Sequence, residues 1–218
     1  MKNAWKLFEY KDTPVYLKYW FFGIMLFVPL TWVVSIFVAI LIHELSHVRT
    51  AKKLGYKTDY VFIDIFHGGA LIDSSYTRNN KDNLLIALAG PMSNLFLALG
   101  TFLITTLFVS VNPEVNIESP VTGFLAEFTG INVILFVFNL LPIYPLDGGR
   151  ISKSIFRMIF GQDKGRKVNG FLSLVLSLSA LTYSIINFDI ILIIFSIIFM
   201  IASFNELKPI EDERQSIN

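Results

Sequence analysis

Read by polarity, the chain is a series of long apolar runs separated by short stretches that hold nearly all of its charge. A hydrocarbon core about 30 Å thick takes about 20 helical residues to cross, and runs of that order fall at 16–29, 31–54, 83–110, 122–147, 168–186 and 188–204. The first two nearly merge, since no charge interrupts Tyr19 to Ile42. A single helix from Tyr19 to Leu54 would measure about 54 Å at about 1.5 Å per residue, so a break at Pro29-Leu30-Thr31 is expected. Pro142 and Pro145 must interrupt the fourth run in the same way. The segment Tyr60-Val-Phe-Ile-Asp-Ile-Phe-His67 differs in kind: it is β-branched and aromatic, and Gly68-Gly69 and then Ala70-Leu-Ile72 follow it. That pattern predicts two short strands around a glycine turn. The expected fold is a polytopic α-helical membrane protein with about six transmembrane helices, a small hairpin near 60–72 and a broken fourth helix.

Composition agrees with the pattern. The 218 residues are 54% hydrophobic with 21 Phe and a mean hydropathy of +0.60, which excludes one ordinary soluble domain. With six spans, all 18 Lys and Arg fall on one side. They are Lys2 to Lys18, then Arg49 to Lys81, then Arg150 to Lys167, and finally Lys208 and Arg214. Cytoplasmic loops are enriched in such residues, so both termini are expected in the cytoplasm of a multi-pass protein of the cell membrane. The charge census also favours six spans over five. No removable signal peptide is read at the start. A single integral-membrane domain over 1–218 is expected, with its core at about 15–160, further helices at about 168–204 and a polar tail at 205–218. A net charge of +1 gives no reason to expect a nucleic-acid partner. The chain has no Cys, so any metal must be held by His, Asp or Glu.

His43-Glu44-Leu45-Ser46-His47 carries the clearest chemistry. On a helix, residues four apart share a face, so His43 and His47 can present two imidazole nitrogens to one ion. Glu44, about 100° around the helix, can reach a water on that ion without ligating it. This is the arrangement of a zinc hydrolase with a glutamate base. Composition alone would produce the pattern in roughly one or two chains in a thousand. It also lies about 18 Å along an apolar helix, where ionisable groups are costly and usually functional. The alternative is that these groups cap a span and only bond each other.

Two histidines and a water leave tetrahedral zinc one ligand short, and the third must be His67, a carboxylate or nothing. Asp147 is the strong candidate. It follows the proline-broken run beginning at Ile131, and in the six-span topology it reaches a depth comparable to that of His43. A Pro/Gly/Asp turn with Asp147 capping the next helix is the competing view. His67 reads better as a membrane-surface or turn histidine than as an extra ligand. Asp189 and Glu127 read as extracytoplasmic span ends without chemistry.

His43-Glu-Leu-Ser-His47 and Asn139-Leu-Leu-Pro-Ile-Tyr-Pro-Leu-Asp-Gly148 resemble the paired signatures of the site-2 protease family of intramembrane zinc metalloproteases. Gly68-Gly69 and Ala89-Gly-Pro-Met-Ser-Asn94 fit it too, and the similarity runs over about 15–160. The resemblance implies that His43, His47 and Asp147 hold one zinc ion, that Glu44 activates water, and that the substrate is a transmembrane helix cut in regulated intramembrane proteolysis. It also implies that Asn139 contacts the substrate or the developing oxyanion. The chain resembles the minimal branch, without a PDZ insertion or a C-terminal nucleotide-sensing domain, so regulation is expected through a membrane partner or through a first cleavage of the substrate by another protease. A substrate must unwind locally before it is cut, and the 60–72 strands could hold it by edge pairing. The competing function is a metal-binding transporter or a non-catalytic scaffold. A transporter would be expected to show internal duplication, and the two halves share no motif.

Overall fold

The computed structural model describes residues 3–64, 69–72, 79–112 and 119–207, which form two compact units, Met1–Asn139 and Leu140–Asn218. His67 and Gly68 lie outside the described residues.

The first unit opens with strands β1 (Ala4–Tyr10) and β2 (Thr13–Lys18), then a 3-10 segment over Tyr19–Leu26. Helix α1 (Leu30–Lys53), strands β3 (Thr58–Ile63) and β4 (Gly69–Ile72), and helices α2 (Asn80–Val111) and α3 (Pro120–Asn139) follow. The four strands form one sheet in the order β1-β2-β3-β4. The β1-β2 and β3-β4 pairs are antiparallel, whereas β2 and β3 run parallel, Val15 opposite Val61 and Leu17 opposite Ile63. Parallel neighbours need a crossover connection, and here α1 is that crossover. β2 buries alternate residues, Thr13, Val15 and Leu17, as a strand with one covered face does. Val15, Leu17, Val61 and Ile63 pack with Phe21, Val33 and Val48 in one apolar cluster that joins the sheet to α1. Beyond the strand ends, Lys18 donates to Asp64 at 2.9 Å.

Helix α1 begins directly after Pro29, where a fixed φ suits a helix start. It ends at Gly55, whose φ of +86° is costly for any residue with a Cβ. Gly55 N–H donates to Lys52 O and Tyr56 N–H to Ala51 O, a Schellman closure. Helix α2 opens on Asn79, whose side chain accepts from Lys81 N–H. At the other end of α1, Thr31 and Ser35 donate to Glu127 of α3 at 3.0 and 2.9 Å. Glu127 is thus a helix-to-helix tie.

The second unit contains α4 (Asp147–Phe160), α5 (Gln162–Ile186) and α6 (Ile190–Leu207). Gly161, at φ +82°, separates α4 from α5. Asp189 caps α6 by accepting from Leu192 N–H at 3.0 Å.

Among the described residues five helices, α1, α2, α3, α5 and α6, are long and apolar enough to cross a membrane, which makes this a multi-pass membrane protein. Six were expected. The run 16–29 is not a spanning α-helix: its start completes β2, and Tyr19–Leu26 is the 3-10 segment. Phe21 of this segment is buried against α1 and the sheet, whereas Tyr19, Phe22 and Leu26 are exposed. The break in the fourth run is present, since α3 stops at Asn139 and helix resumes only at Asp147. The expected hairpin is real, but β3 is an inner strand with partners on both sides. β3 therefore offers no edge to a substrate and its Ile63 belongs to the core, whereas β4 is an outer strand of the sheet.

Candidate metal centre

α1 carries His43, Glu44 and His47, all buried, with relative exposures of 5%, 5% and 3%. The two imidazole Nε2 atoms lie 3.1 Å apart and turn toward the same point. Each ring is pinned from behind. His43 Nδ1 lies 2.5 Å from Asn94 Oδ1 of α2, and His47 Nδ1 lies 2.6 Å from the carbonyl oxygen of Ile86. Both partners accept, so each Nδ1 carries the proton and each Nε2 keeps a lone pair. That is the tautomer a metal requires, fixed by outer hydrogen bonds.

Asn94 is itself held. Its Nδ2 donates to Asn132 Oδ1 of α3 at 2.9 Å, and Asn132 Nδ2 donates to Phe128 O at 2.8 Å. A polar chain therefore crosses three helices, His43–Asn94–Asn132, with both asparagines fully buried. Such chains fix side chains in one arrangement because every broken link strands a buried polar group. Motif reading singles out Asn94 only as part of Ala89–Asn94 and passes over Asn132. The available signal is a lone amide inside each apolar helix, expensive in lipid unless used.

Gly90 faces the histidine pair. A Cβ there would stand 2.5 Å from His43 Nε2 and 2.6 Å from His47 Cε1, and closer still to His47 Nε2. Only a glycine leaves the space in front of the two nitrogens open.

In the second unit, Asp147 is the first residue of α4 and is 8% exposed. A carboxylate is favoured at a helix N-terminus, where backbone N–H groups are unpaired. Arg150 Nη1 lies 3.6 Å from Asp147 Oδ1. The proline loop wraps closely over this helix start. A Cβ on Gly148 would strike the Leu140 and Leu141 carbonyls, and one on Gly149 would come within 2.7 Å of the Ile143 carbonyl. α5 supports the arrangement: Asn169 Nδ2 donates to Gly149 O, and Tyr144 N–H donates to Ser173 Oγ at 2.7 Å. Asn139 ends α3, half-buried, its Nδ2 donating to Leu135 O of its own helix at 3.0 Å.

The described residues thus offer two imidazoles and one carboxylate, His43, His47 and Asp147, as a donor set able to hold one metal ion. With a water, such a set suits a catalytic zinc. The two Nε2 lone pairs fit that cation, because two converging acceptors 3.1 Å apart are stabilised by a shared positive charge.

Comparison with known proteins agrees with the chemistry. Over 180 residues the chain is 28% identical to the zinc metalloprotease MJ0392 of Methanocaldococcus jannaschii, covering 83% of this chain and 50% of that protein. Over 130 residues it is 28% identical to stage IV sporulation protein FB of Bacillus subtilis, covering 60% of this chain and 42% of that protein. The chain spans about half the length of these curated relatives. The solved site-2 protease from Methanocaldococcus jannaschii matches with a TM-score of 0.68 at 25% identity, over 95% of this chain and 97% of that one. Zinc, which the name of MJ0392 carries, is an ion that the donor set here suits. The model of Peptidase family M50 matches residues 31–120 and 106–183, and the chain belongs to that family, the site-2 proteases.

Proposed function

We propose that the protein is an intramembrane zinc endopeptidase that hydrolyses a peptide bond in or near a transmembrane helix of a membrane-protein substrate. The observation that carries this reading is the histidine pair: two Nε2 lone pairs held face to face inside an apolar helix by two protonated Nδ1 atoms. His43, His47 and Asp147 hold the zinc. When bound, that ion supplies Lewis-acid polarisation of a carbonyl and of a water.

The chain's own residues do the rest. Glu44, buried one residue from His43, takes the proton from the attacking water and returns it to the leaving amine. Asn139 has a second amide hydrogen beyond the one given to Leu135, and donates it to the oxyanion as the carbonyl carbon becomes tetrahedral. Arg150, whose Nη1 lies 3.6 Å from Asp147 Oδ1, and the α4 N-terminus hold the Asp147 side chain in place.

The sheet supports the orientation in which both termini are cytoplasmic. β2, which ends at Lys18, lies beside β3, which follows the basic end of α1 at Lys52 and Lys53. The first lysines therefore share a side with the later ones although no helix spans 16–29. The active site then lies toward the cytoplasmic face, and a regulatory membrane partner acts on substrate access. Both units, 1–139 and 140–218, contribute to this one catalytic domain.

The test is Glu44→Gln in the full-length protein in its own membranes. Membrane proteomics should show a fragment that accumulates only in the variant, while the purified variant keeps one zinc per chain. Unchanged processing with zinc retained rejects the peptidase in favour of a scaffold or transporter.

A further inference from the structure

Between α1 and α2, away from the face that bears His43 and His47, runs a groove of about 500 Å³. From α1 it is lined by Ile42, Ser46, Arg49, Thr50 and Lys53, one stripe of a helix at spacings of three and four. From α2 come Met92, Phe96 and Leu97. Its polarity is graded. Arg49 and Lys53 stand one turn apart at the end of α1, both exposed, and neither forms an ion pair among the described residues. Two like charges at this spacing repel, and no acidic group among the described residues pairs with either. Further along, Ser46 and Ser93 turn back to the Ile42 and Gly90 carbonyls, so the middle of the groove asks little of a ligand. The far end is hydrocarbon, with Phe96 66% exposed.

We infer that this groove binds an anionic phospholipid, its phosphate on Arg49 and Lys53 and one acyl chain along Ile42, Phe96 and Leu97. Ile42 to Lys53 spans roughly 16 Å of α1, so a headgroup on the basic end leaves its acyl chain beside Phe96 and Leu97. Charge agrees, because guanidinium and ammonium together match a phosphodiester, and basic residues at the end of a spanning helix draw anionic headgroups.

The experiment uses the full-length protein purified in neutral detergent and offered equimolar phosphatidylglycerol and phosphatidylcholine, with retained lipid read by native mass spectrometry. Wild type should retain phosphatidylglycerol at least severalfold over phosphatidylcholine. The double variant Arg49→Gln/Lys53→Gln should lose that preference, and Arg49→Lys should keep most of it. Both positions are exposed, so folding is not at stake, and zinc content serves as the control. Equal retention of the two lipids by wild type overturns the inference, and so does undiminished preference in the double variant. Displacement of the lipid by a soluble acidic peptide, but not by inorganic phosphate, would also overturn it, by showing that the cations belong to a protein partner.

Discussion

The two parts of the donor set are built by opposite means. His43 and His47 sit mid-helix and are aimed by other side chains, through Asn94, Asn132 and the Ile86 carbonyl. Asp147 sits at a helix start and is placed by backbone, with Gly148 and Gly149 letting the proline loop close over it. The difference follows from the ligands. An imidazole has two nitrogens and is useful only in one tautomer, so it needs a partner on the far nitrogen. A carboxylate has two equivalent oxygens and no tautomer to choose, so position suffices.

The contrast can be broken at either end. Gly90→Ala places a methyl group in front of both Nε2 atoms and should abolish zinc binding and cleavage together, with the fold kept. Gly100→Ala, ten residues along the same helix with nothing within 4 Å of its Cβ, should bind zinc like wild type. Metal analysis of the two purified variants decides it. Gly148→Ala tests the backbone-built end. Here the clash is with main chain that cannot swing aside, so overpacking of about 1–3 kcal/mol or more should lower the midpoint of thermal unfolding as well as zinc content. Loss of zinc without loss of stability would mean that the loop does not hold the helix start.

Asn94→Ala should weaken zinc about 10–100-fold, as removal of an outer hydrogen-bond partner does, and Asn132→Ala should weaken it less, being one bond further out. Equal effects, measured by chelator competition, would show that the chain acts as a unit. The smallest effect concerns Lys153 in α4, which donates to Glu206 at 2.9 Å. Burial holds the Lys153 ammonium below the usual lysine range, against the opposing pull of Glu206. Between that lowered pKa and the unfolded value near about 10.4, the unfolded chain binds more protons than the folded one. Stability should therefore rise with pH in that window, and Lys153→Gln should flatten the rise in thermal unfolding followed against pH.

Much of the centre is legible in the sequence because its chemistry is local. Spacing alone puts His43 and His47 on one helix face, and Pro142 and Pro145 announce that helix will stop before Asp147. The first apolar run misleads because hydropathy records only that a stretch is apolar, not the element it forms. Tyr19–Leu26 is an eight-residue 3-10 segment, too short to cross a membrane, and its Phe21 packs on α1 beside a sheet whose strands β1 and β2 come from a stretch of mixed polarity. The partners of Asn94 are illegible because Asn132 is 38 residues away, and nothing local says which two amides meet.

The parallel pairing of β2 with β3 has one more consequence. Because α1 is the crossover between two hydrogen-bonded strands, it cannot slide along its own axis without shearing Val15 from Val61 and Leu17 from Ile63. A lone spanning helix finds its level from lipid thickness and drifts when the bilayer thins or thickens. This one is gauged against a ruler made of its own flanking chain. The height of His43 and His47 relative to the sheet is therefore a property of the protein, set by strand register and not by lipid.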